Sequence, residues 1–423
     1  MTIKKHKFFA VIAVLFLCVL FWSRCMKSGT EPDVRGAAYA PAGTCKDCHR
    51  AIYDSSLSTA HHLATTQANE KTLLGNFAAG ANAFLFNNGQ KVLVEHRDSG
   101  YYQVLYTKGI ETEARRFDIA FGVTHAQTSL YWMNDVAYEL PLTYYKHLQN
   151  WATSPGFSAA NPNFQRLIGR DCFECHSSNI SNKKDSSGNT GDYFSTAEQL
   201  EQMDRRSLVY GIDCQRCHGP AAQHVNFHLD NHAEKTAKFM VVIHSLSRQQ
   251  QIDLCGQCHA GNDRRKLKSR FAFKPGDNLS DFFLETSSAN DGKEADVHGN
   301  QLSLLSQSAC FLQSNSLTCS SCHGGHTNAA STSKQLYSQK CMNCHSQAAN
   351  TFCTVKGIAP AVLTQNCVDC HMPRRASEAI QFEQEGNGKL SSYLLTTHRI
   401  AIYDTAFGKS SLQKNGGRTP VLK

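Results

Sequence analysis

The chain has 423 residues, enough for two or three average domains, and its hydrophobic fraction of 41% is slightly low. Its 18 cysteines and 20 histidines are more than packing uses, and they point to cofactor ligation. A net charge of +8 would by itself suggest nucleic acid or an acidic partner, a reading that the motifs below remove.

Residues 1–29 read as a separate segment. MTIKKHK is basic, and Phe8 to Trp22 is an unbroken apolar run, the order of an export signal. The run is short for a membrane-spanning helix. A small-x-small site comes only at Ala38-Tyr39-Ala40, with Pro41 behind it. A cleaved signal, an uncleaved membrane anchor and a lipidated Cys25, which follows an ill-suited Arg24, all stay open. Each places the body of the protein outside the cytoplasm, in the periplasm or cell envelope.

The stretch Cys45-Lys-Asp-Cys48-His49 opens residues 30–80 and recurs along the chain. Further copies are Cys172/Cys175/His176, Cys214/Cys217/His218 and Cys255/Cys258/His259. The last three are Cys319/Cys322/His323, Cys341/Cys344/His345 and Cys367/Cys370/His371. Shuffling this composition would give roughly 0.04 copies of CxxCH, so seven are not chance. The pattern is that of c-type haem attachment: two thiols form thioethers with the vinyl groups, and the next histidine faces the iron. A zinc ribbon leaves the histidine after every CxxC unexplained, a redox dithiol would occur once, and a disulfide framework needs no histidines. Seven covalent haem c groups are therefore expected, with the seven CxxCH histidines as proximal iron ligands. Their fourteen propionates offset much of the positive charge, which leaves no case for nucleic acid.

Twelve other histidines outside the leader are available as second iron ligands. His326, three residues after His323, is too close to reach the far face of its own haem but can reach a neighbour's. His224 has a similar offset from His218, and His61 and His62 follow the first motif by one helical stretch. Few or no methionine ligands are expected.

Between the first and second motifs, KVLVEH, YYQVLYT, RRFDIAF, TSLYWM and VAYELPL read as strands, with turns at Arg97 to Gly100 and at Asn134-Asp135. Residues 81–145 are thus taken as a small antiparallel β insertion. Residues 146–410 are taken as a multihaem domain with six haems, and 411–423 as a tail. Within that domain TAEQLEQMDRRSLVY and SLSRQQQIDLCGQC read as amphipathic helices, and residues 181–192 and 287–300 as loops. The fold class expected is mainly α with long loops, packed around haem. Cys310 and Cys353 are left over; a disulfide and two buried thiols both remain open.

The chain also resembles the cytochrome c-552/c-554 type of multihaem cytochrome c, in the exported branch often fused to tetratricopeptide repeats. The resemblance rests on CKDCHRAIYDSSLSTAHH, FGVTHAQTSLYW, YELPLTYY, WATSPGF, RDCFECH, IDCQRCHGPAAQHV, LTCSSCHGGH, NCVDCHMPRR and THRI. It runs in order from about Gly43 to Ile402, and no tetratricopeptide segment follows in this sequence. It implies an α-rich haem-packing fold, electron transfer outside the inner membrane, and distal ligands at His61, His125, His224, His298, His326 and His398. FGVTH departs from the family's Gly-Ser-Gly lead-in to His125. The seventh distal ligand stays open among His62, His228 and His244. The resemblance also implies a Cys310–Cys353 pair.

Two functions follow. One is electron carriage between other redox proteins, a quinol-oxidising membrane complex or further cytochromes, through mostly bis-histidine haems. The alternative is an oxidoreductase acting on a small nitrogen or sulfur compound at one five-coordinate haem. The absence of any CxxCK motif and the supply of histidines favour the carrier. Haem storage, or a structural place in a larger complex, is a third option.

Overall fold

The computed structural model describes residues 31–183, 201–261, 264–284, 295–328, 332–346, 352–386 and 388–403. The leader and its three alternatives, the tail at 411–423, most of the loop at 181–192 and the first part of that at 287–300 lie outside the described residues. No helix among the described residues is long and apolar enough to cross a membrane.

Strands dominate the first half. A six-stranded antiparallel sheet runs in the order β1 (Thr65–Gln67), β6 (Ile119–Phe121), β7 (Ala126–Met133), β8 (Val136–Tyr145) and β10 (Arg166–Ile168), with β9 (Asn150–Thr153) also paired to β8. A four-stranded meander consists of β2 (Ala83–Leu85), β3 (Lys91–Arg97), β4 (Gly100–Thr107) and β5 (Ile110–Arg116). The β7–β8 turn has Asn134 at φ 51° and Asp135 at φ 63°, the two left-handed residues that a tight two-residue hairpin requires. β8 is buried along nearly its whole length because both of its faces are covered. Pro141 sits in this central strand without breaking it, because the β7–β8 register slips between Thr128 and Leu130 at that point.

One face of the six-stranded sheet packs Tyr131, Tyr138, Leu140 and Leu142 against Phe84, Phe86, Val92 and Leu105 of the meander. Gln103 crosses this apolar layer with both amide functions satisfied, donating to the Leu142 carbonyl at 2.7 Å and accepting from its N–H at 3.0 Å. The opposite face packs Ile119, Leu130 and Ala137 against Phe173, Ile180 and Met203. Phe173 lies inside the second CxxCH motif, so this sheet is the floor on which that motif rests. The β region therefore extends beyond 81–145: it begins at Thr65, paired with Phe121, and ends at Ile168, paired with Ala137.

The mainly-α expectation is overturned. About 26% of the structure is helix and 26% strand, in several antiparallel sheets. Helices stay short because a CxxCH motif needs one turn and little more; the longest, Arg248–His259, has twelve residues. Two hairpins lie in the segment taken as helices and loops: β11 (Asn179–Asn182) with β12 (Met203–Val209), and β13 (Arg374–Glu383) with β14 (Leu390–Thr396). In TAEQLEQMDRRSLVY the charged residues imitate a helix face. In the structure Met203 and Ser207 turn inward from a strand, and Arg205 and Lys183 both pair with Asp135 at the β7–β8 turn. SLSRQQQIDLCGQC does form the expected helix, started by a capping box between Ser247 and Gln250.

Candidate haem sites

Each CxxCH motif is built on one helical turn. The His49, His323 and His345 N–H groups donate to the Cys45, Cys319 and Cys341 carbonyls at 2.8, 3.0 and 2.9 Å. Positions i, i+3 and i+4 of such a turn share one face, so both thiols and the imidazole of each motif point the same way. The third motif is the helix Cys214–His218, capped by Asp213, and the fourth is the last turn of Arg248–His259.

Imidazoles from distant segments stand opposite these histidines. Ring centroids are 6.3 Å apart for His49 and His224, 6.1 Å for His61 and His259, 5.9 Å for His218 and His326, and 6.1 Å for His323 and His398. These gaps are too wide for ring contact. Two metal–nitrogen bonds of about 2 Å, plus about 1 Å from each nitrogen to its ring centre, span about 6 Å. The spacing suits one six-coordinate iron between each pair. His298 is close enough to His176 for their charges to act on each other. Five of the six distal candidates are thus brought to five different CxxCH histidines.

The second ring nitrogens are held as iron ligation requires. Nδ1 of His218, His224 and His371 bonds to the Val241, Lys238 and Ala401 carbonyls at 3.3, 2.8 and 2.9 Å. A carbonyl only accepts, so Nδ1 carries the hydrogen and Nε2 keeps its lone pair. Nδ1 of His259 lies 3.1 Å from Gln301 Oε1, and Nδ1 of His323 lies 3.3 Å from the Tyr337 hydroxyl. Burial pushes His61, His176 and His398 down to about 4, and His218, His259, His298 and His323 below the ordinary histidine range. Neutral imidazole is the form that binds iron. Arg216, only 6% exposed, has a buried Nε with no partner, which suits a haem propionate. The residues present therefore fit the group.

The remaining candidates are placed differently. His125 lies beside Tyr393 of β14 and within electrostatic reach of Arg374, three residues beyond His371, and of His147. His228 lies one helical turn beyond His224, with ring centroids 4.6 Å apart and its Nε2 buried without a partner. His62 is partly buried next to His61, and His244 lies in a short 3-10 turn. Cys310 and Cys353 are not bridged. Cys310 faces Cys322 and Cys341, whereas Cys353 faces Cys370, so the two thiols sit by different motifs.

His61 is held in place by backbone. The Ile212 N–H donates to its carbonyl at 2.8 Å, and Gly211, at φ 62°, lies so close that an added Cβ would overlap the His62 carbonyl. Gly211→Ala is expected to cost more than about 2 kcal/mol in chemical denaturation, with the left-handed backbone and the overlap both contributing. A loss below about 0.5 kcal/mol would show that the His61 segment moves freely.

Sequence reasoning missed Glu174. It lies between the second motif's cysteines, among inner residues that read as freely variable, and is fully buried. Its carboxylate accepts from Ser269 Oγ at 2.5 Å and the Arg270 N–H at 3.2 Å, and pairs with Lys266, Arg270 and Arg170 at 3.4, 3.4 and 3.6 Å. No pattern in the sequence announces this.

Glu139, on β8, is 6% exposed, and burial pushes its carboxyl from 4.5 up to about 7. Arg166 across the sheet, 3.4 Å away, offsets this only in part. Between those two values the folded chain binds more protons than the unfolded one, so stability falls as pH rises through the window and levels above about 7. Glu139→Gln is expected to remove on the order of 2–3 kcal/mol of that dependence. Denaturation midpoints of both proteins at several pH values test this; equal slopes would contradict it.

No protein-family model matches the chain, and no curated protein matches it in sequence. Among solved structures, the outer cell wall cytochrome OcwA aligns with 86% of this chain and 79% of its own, at 15% identity and a TM-score of 0.50. The undecahaem cytochrome from the S-layer of Carboxydothermus ferrireducens aligns with 88% of this chain and 55% of its own, at 13% identity and a TM-score of 0.39. The chain shares the fold of the first, a cytochrome.

Proposed function

We propose that the chain is a seven-haem c-type cytochrome that carries electrons between redox proteins outside the cytoplasm. The observation that carries this reading is the set of four imidazole pairs at 5.9–6.3 Å, each combining a CxxCH histidine with one from another segment. A carrier needs its irons capped on both sides, and these pairs cap them. The bound haems would supply one-electron redox chemistry. The polypeptide fixes each imidazole's tautomer, keeps it neutral by burial and excludes water from the iron-facing nitrogens. The cell-wall setting named for the outer cell wall cytochrome, and the export-like leader, support a place in the cell envelope. Titration of the holoprotein with a one-electron reductant is expected to take up seven equivalents per chain, one per motif. Turnover of nitrite, hydroxylamine or tetrathionate by the purified protein would favour the enzyme reading instead.

A further inference from the structure

The attachment cysteines of different motifs touch one another, and the contacts form a definite graph. The thiols of Cys45 and Cys214 hydrogen-bond, joining the first and third motifs. Cys175 and Cys258 hydrogen-bond, joining the second and fourth, and Cys255 and Cys319 do the same for the fourth and fifth. Cys217 of the third motif lies within electrostatic reach of both Cys255 and Cys258. Cys341 is in the same reach of Cys322 on one side and Cys367 on the other, which continues the line from the fifth motif through the sixth to the seventh.

The fourth motif alone meets three others. Its histidine shows the same thing independently. His259 acts electrostatically on His61, His176, His298, His323 and His398, which belong to its own iron site and to those of the second and fifth motifs. The ligand crossings agree: His61, from the segment after the first motif, stands opposite His259, and His326, after the fifth, stands opposite His218 of the third. Exposure follows the same plan. The exposed attachment cysteines are Cys48, Cys172 and Cys344, on the first, second and sixth motifs, while those of the third, fourth and fifth are covered.

We propose that the fourth motif is a three-way junction, with arms that surface at the first motif, at the second, and at the sixth and seventh. The proposal rests on the electron-carrier reading and goes beyond it. A wire has two ends; this arrangement has three, so it can merge electrons from two one-electron protein donors or divide them between two acceptors. Each electron delivered at one end leaves at another, with no other bond made or broken in the chain.

Iron positions located by anomalous scattering in crystals of the holoprotein test the junction. Seven irons are expected, and the one bound by His61 and His259 is to have three iron neighbours, those held by His176, His218 and His323. Seven irons in an unbranched order, or a branch at another iron, would overturn the junction and leave the seven-haem reading standing. Absence of iron from any of the second to fifth motifs would overturn both.

Discussion

Glu174→Ala is expected to destabilise the holoprotein by about 3–5 kcal/mol, the cost of removing one partner from a buried charge network. Lys266, Arg270 and Arg170 converge on this carboxylate, and Arg270 is only 5% exposed. Without it, Arg270 keeps its bond to the Gln257 carbonyl at 2.7 Å but loses its counter-charge. Gln257 lies between Cys255 and Cys258, so this one network ties the second motif to the fourth. Glu174→Gln keeps an acceptor for Ser269 and is expected to lose less. Denaturation followed by far-ultraviolet circular dichroism checks both variants. A loss below about 1 kcal/mol for the alanine variant would mean that the network is solvated in the holoprotein.

His61→Ala is expected to leave the haem content unchanged and to open one iron to carbon monoxide. The reduced variant is then to show a Soret change worth one haem beyond that of the unaltered protein, because the ring opposite His259 at 6.1 Å has been removed. His326→Ala is expected to do the same at the third motif, through His218. No change in either variant would mean that the paired imidazoles are neighbours and not ligands. A change for one only would assign that pair and dismiss the other.

The motifs were legible in the sequence because covalent attachment fixes three residue types at fixed spacing. The capacity of His326 to serve a neighbouring haem was legible from its offset of three residues, and the structure sets it opposite His218. Which histidine faces which motif was not legible, since His61 and His259 are almost two hundred residues apart and only the fold brings them together. The strands of residues 91–145 were readable from alternation and from the turn at Asn134-Asp135. β12 was not, because its run of charges fits a helix face as well as it fits a hairpin edge. The mainly-α expectation failed for a related reason. Cofactor-centred motifs need only single turns, and the buried aliphatic residues are spent on sheets that support them. The Cys310–Cys353 pairing came from resemblance, and in this chain the two thiols face different motifs.

The central claim is that all seven CxxCH motifs carry haem. Haem c quantified against polypeptide, after denaturation and acid–acetone extraction of the purified, exported protein, tests it most directly. The account predicts seven haems per chain, all remaining with the polypeptide. Fewer than seven, or haem that extracts into the solvent, would contradict it.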